Sequence, residues 1–113
     1  MSIASESTSA PRGHTAESLQ TLAALLEVSL EKGTSVVMVR RGTGECSVYI
    51  GKPGDEDAKL TGHGTIPTAV AEELLVLTQA GLNRMTVGDQ TYRFFRSFTQ
   101  LSDVGGAVVF APT

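Results

Sequence analysis

The stretch that decides the fold is Arg84-Met85-Thr86-Val87-Gly88-Asp89-Gln90-Thr91-Tyr92-Arg93-Phe94-Phe95. Two β-rich arms flank a Gly-Asp pair, the composition that a two-residue hairpin turn demands. Pairing Val87 with Gln90 fixes the register, so Met85 faces Tyr92 and Arg84 faces Arg93. Side chains alternate along a strand, so Met85, Val87, Tyr92 and Phe94 share one face. Arg84, Thr86, Thr91, Arg93 and Phe95 share the other.

Upstream, Val36-Val37-Met38-Val39-Arg40-Arg41 and Cys46-Ser47-Val48-Tyr49-Ile50 enclose Gly42-Thr43-Gly44-Glu45 and read as a second hairpin. A four-residue loop would set Arg41 against Cys46 and Val39 against Val48. That register groups Val37, Val39, Cys46, Val48 and Ile50 on the core side. Met38, Arg40 and Tyr49 then join Arg84, Arg93 and Phe95 outside.

Each hairpin follows a helical pattern. Leu19, Leu22, Ala23, Leu26 and Leu30 form an apolar stripe from a start near Thr15, and Gly33 stands where a left-handed cap ends a helix. A second helix opens near Pro67 and runs to about Ala80, with Gly81 as its cap. Val70, Ala71, Leu74, Leu75, Val76 and Leu77 make it apolar almost all round, so it should be covered on more than one side. After the turn-forming Asp103–Gly106, a last strand spans Ala107–Phe110. Residues 51–65 read as a long loop carrying Asp55-Glu56-Asp57, with a short strand around Ala58–Thr61.

The order α-β-β-α-β-β-β predicts an α+β domain: two helices on one face of a four- to five-stranded antiparallel sheet. Helix, glycine and hairpin occur twice, and a shift of 48 residues overlays Gly33 on Gly81 and Val39 on Val87. Residues 1–14, rich in Ser, Thr and Ala, read as a disordered tail, and residues 15–113 as one domain. The 113 residues suffice for one core, and a lone cysteine, Cys46, rules out an internal disulfide. A net charge of −3 argues against a protein that coats nucleic acid or anionic membrane with its whole surface. No secretory signal and no membrane-length apolar run is present, so the expected location is the cytoplasm.

Chemistry-bearing motifs are scarce. Asp55-Glu56-Asp57 lacks the alternating ligands of a calcium loop. His14, His63 and Cys46 have no metal-ligand spacing. Gly62-His63-Gly64-Thr65-Ile66-Pro67 leads into a helix N-terminus, where an anion could be held, but has neither the lysine nor the spacing of a phosphate loop. No nucleophile elbow or Cys-x-x-Cys occurs. The reading is no enzyme, no metal and no cofactor.

What remains is a surface. Arg40, Tyr49, Arg84, Arg93 and Phe95 form the expected interaction face, and opposed arginines cost stability unless something offsets them. Asp89 or Glu45 could supply that counter-charge. The expected function is a non-enzymatic protein-interaction module, adaptor or chaperone-like and self-associating, using the second helix or the open sheet face. The alternative is a nucleic-acid-binding module using the same arginine and aromatic face. In element order and acidity the chain resembles the type III secretion chaperones, small acidic proteins with helices on one side of a twisted antiparallel sheet. The resemblance implies client binding; it covers element order only, and the third helix of that family is missing here.

Overall fold

The computed structural model describes residues 16–41, 44–53, 60–101 and 105–113. The elements are α1 (Glu17–Lys32), β1 (Ser35–Arg41), β2 (Glu45–Gly51), β3 (Thr61–Pro67), α2 (Thr68–Leu77), β4 (Gly81–Val87), β5 (Gln90–Leu101) and β6 (Gly105–Pro112). The strands make one antiparallel sheet in the order β3-β2-β1-β6-β5-β4. The expected four to five strands are therefore corrected to six. The expected tail at 1–14, the Thr15 helix start and the acidic cluster at 55–57 lie outside the described residues, as does most of the turn before β6.

The additional strand is β3, in the segment expected to be loop. Its glycines hid it from propensity reasoning. One of them, Gly64, makes a bulge possible. His63 and Gly64 together oppose the single Val48, and Gly64 sits at φ 103°, where a side chain would be strained. The bulge and Pro67 close off this sheet edge to further pairing. The chain then turns directly into α2, tied back by Thr68 N–H donating to the Gly44 carbonyl at 2.9 Å.

Each helix thus leads into a three-stranded meander, and the two meanders join through β1 and β6. Only Val36↔Phe110, Val37↔Val109 and Met38↔Val108 make that joint. Both helices lie on one face. Leu22 and Leu26 of α1 and Leu74 of α2 share a buried cluster with Val36, Met38, Val48, Ile50, Phe94 and Phe110. The Phe94 and Phe110 rings meet at 5.8 Å and 60°, a tilted aromatic pair at its centre. Gly33 ends α1 as expected, at φ 63°, with Thr34 N–H reaching back to the Ser29 carbonyl.

The β1–β2 register differs by one residue from expectation. The connection is three residues long, so Arg40 opposes Cys46 and Met38 opposes Val48. Cys46, Val48 and Ile50 face the helices as anticipated. On β1 the assignment inverts: Val36, Met38 and Arg40 face the helices, while Val37 and Val39 face away. Little burial is lost, because β1 is central and covered on both sides. Val37 and Val39 join Ala107 and Val109 in a second cluster, with Tyr49, Leu60 and Leu101 packed against it. The unbroken run Val36-Val37-Met38-Val39 is what a doubly buried strand looks like.

α2 stops earlier than expected. Thr78 is extended, its N–H and hydroxyl both donating to the Leu74 carbonyl, and Gly81 begins β4 instead of capping the helix. Only Leu74 of α2 is buried. The covering expected on more than one side of this helix is absent among the described residues.

Candidate functional surfaces

The β4–β5 hairpin has the anticipated register: Val87↔Gln90, Met85↔Tyr92 and Arg84↔Arg93. Tyr92 and Phe94 are buried toward the helices. On the opposite face three exposed cross-strand pairs stack in order: Leu82 with Phe95, Arg84 with Arg93, and Thr86 with Thr91. The two threonine hydroxyls are 3.2 Å apart. Among the described residues the ion pair is Arg40 with Glu72, so neither Asp89 nor Glu45 neutralises the opposed arginines.

The structure brings together three of the five residues expected on the interaction face: Arg84, Arg93 and Phe95. Arg40 lies on the helix side, where its Nη2 donates to Glu72 Oε2 at 2.7 Å. Tyr49 keeps to the outer face, but half-buried in the second cluster and three strands from β5, about 14 Å away at ordinary strand spacing. An arginine and aromatic face spanning the sheet, as single-strand nucleic-acid recognition requires, is thereby reduced to one hairpin.

A second surface lies on the helix side, and only its α2 part was expected from the sequence. Between α2 and the β5–β6 hairpin runs a cleft of about 310 Å³, lined by Met38, Cys46, Ala71, Leu75, Phe98 and Val108 with Arg40 and Glu72 at its charged lip. The Phe98 ring passes over Gly106, where a Cβ would meet it at 3.4 Å, and is 73% exposed. Leu75, Val76 and Leu77 of α2 are 41%, 81% and 45% exposed. Cys46 is buried in the cleft wall, 4.0 Å from the Thr68 hydroxyl.

Phe98 was legible in principle. Alternation from Phe94 puts Arg96 and Phe98 on the helix side. The same alternation points to Arg96, whose guanidinium meets the end of α2. One nitrogen donates to the Leu75 carbonyl, the Thr78 carbonyl and the Thr78 hydroxyl at 2.9–3.0 Å.

Gly62–Pro67, weighed as an anion loop, is the exposed edge strand β3. His63 stands exposed on it. Among the described residues, no group of three or more His, Cys, Asp or Glu could hold a metal ion. No described helix is long and apolar enough to cross a membrane. No family model, curated protein or solved structure matches this chain.

Proposed function

We propose that this chain is a non-enzymatic protein-interaction module, adaptor or chaperone-like, that self-associates through α2 and the cleft beside it. The observation that carries the reading is the exposure of Leu75, Val76, Leu77 and Phe98 on the helix side. Of these, Leu75 and Phe98 line the same cleft, and large exposed apolar side chains beside an apolar recess support an association site. A second copy is the occupant that fits. The patch contains both protruding groups (Val76 and Phe98) and a recess, so a twofold axis can set each against the other. Its lip carries the exposed Arg40 and Glu72, charges of both signs that a twofold partner can meet with their opposites.

Sedimentation equilibrium of wild type, Val76→Asp and Phe98→Ser tests this. The expected result is a dimer that weakens or dissociates in both variants, with far-ultraviolet circular dichroism unchanged. A monomer at every accessible concentration of the wild type, or a dimer indifferent to both substitutions, would overturn it.

A further inference from the structure

We propose that the open edge of β4 takes an extended acidic segment of a partner protein as a seventh strand, its carboxylates meeting Arg84 and Arg93. The surface is separate from the α2 cleft, so the two readings stand or fall independently.

The hairpin geometry supplies the first part of the argument. A two-residue turn makes Val87 and Gln90 a hydrogen-bonded pair, and pairs then alternate along an antiparallel ladder. Arg84↔Arg93 is consequently a non-hydrogen-bonded pair. The N–H and C=O groups of Leu82, Arg84 and Thr86 point away from β5, toward the open side. Two bonds agree with this. The Arg93 carbonyl accepts from Thr113 N–H on the β6 side, at 3.0 Å. The Leu82 carbonyl accepts from the Gln79 side chain at 2.8 Å. No described strand covers Arg84 and Thr86 beyond β4, which ends the sheet.

The two sheet edges are treated differently. β3 carries a bulge and ends in a proline, whereas β4 pairs over seven consecutive residues without either. Unprotected edges accept strands. Charge selects which strand. In a non-hydrogen-bonded pair the two residues approach most closely, so Arg84 and Arg93 stand directly opposite each other without an ion-pair partner among the described residues. An added residue opposite Arg84 projects onto that same outer face, and a carboxylate there neutralises the ladder. The residues that alternate with it project to the helix side, beside Asn83, Met85 and Val87, which are half-buried. The segment that fits therefore alternates acidic and apolar residues.

The probe is a fluorescently labelled (Glu-Val)4 peptide, titrated by anisotropy with the full chain. Comparators are (Lys-Val)4, a (Glu-Val)4 peptide N-methylated at alternate amides, and a labelled oligothymidylate. Binding of (Glu-Val)4 should weaken at least about tenfold in Arg84→Ser/Arg93→Ser and fall with salt. It should also be lost on N-methylation. Hydrogen exchange at the Arg84 and Thr86 amides should slow when the peptide binds. The proposal is overturned if (Glu-Val)4 fails to bind, binds the double variant equally, or tolerates N-methylation. It is equally overturned if the oligothymidylate binds more tightly through the same arginines, or if the double variant turns a wild-type dimer into a monomer, assigning the edge to a second copy.

Discussion

Arg96, on β5, donates a hydrogen bond to the carbonyl of Leu75 in the last turn of α2, at 3.0 Å. The same nitrogen also reaches Thr78, so a strand residue caps a helix that lacks a glycine cap of its own. The last carbonyls of a helix have no partner inside it, and a cation there also complements the helix dipole. Arg96→Met keeps much of the stem and removes these bonds. Urea unfolding should show a loss of about 1–2 kcal/mol. Hydrogen exchange should locate the loss at the C-terminal turn of α2.

Tyr92 and Glu27 couple the sheet to α1 in a pH-dependent way. The Tyr92 ring is buried, and its hydroxyl donates to Glu27 Oε2 at 2.7 Å. That hydrogen bond, then burial, then the carboxylate charge, raise the phenol above its ordinary value of 10.0. A raised value in the folded state means the fold favours protonated Tyr92. Its contribution is fully present below pH 10 and is lost as the pH rises through the folded value. Glu27→Gln should move the Tyr92 phenolate transition to lower pH. Absorbance titration checks this, with Tyr92→Phe identifying which transition belongs to Tyr92 and which to Tyr49.

The sequence carried the helix stripe, the Gly33 cap and the register of the β4–β5 hairpin, because each rests on local chemistry with one solution. A Gly-Asp turn admits a single pairing, and Arg84, Arg93 and Phe95 were brought together by it. The β1–β2 loop did not discriminate between three and four residues. That single residue moved Arg40 from the outer face to Glu72 on the helix side. β3 was illegible for a different reason: a glycine-rich edge strand has little apolar pattern to read, and its pairing with β2 is a tertiary fact. Arg96 and Phe98 were legible by alternation, but their roles depend on where α2 stops.

Ser18 is 1% exposed, and its hydroxyl has no hydrogen-bond partner among the described residues. Ser29 is equally buried, but donates to the Leu26 carbonyl at 2.9 Å. An unsatisfied buried hydroxyl costs stability, and alanine is the better helix former. Ser18→Ala should therefore raise stability by about 1 kcal/mol in urea unfolding. Ser29→Ala, which also gives up a bond, should gain clearly less. Equal effects from the two substitutions would show that Ser18 has found a partner.

Arg84 and Arg93 set stability against binding. Their opposition is unfavourable in the free protein, by a few tenths of a kcal/mol up to about 1 for exposed cross-strand pairs. Arg84→Glu replaces repulsion by attraction across the same ladder, so the variant should be more stable than wild type by about 0.5–1 kcal/mol. The gain should shrink with added salt, since both side chains are exposed. The same substitution places a carboxylate where an acidic strand would dock, so binding of the (Glu-Val)4 probe should disappear as thermal stability rises. A variant that is both more stable and still binds would separate the arginine pair from recognition. One that loses stability would mean that Arg84 already has a counter-charge in the free protein.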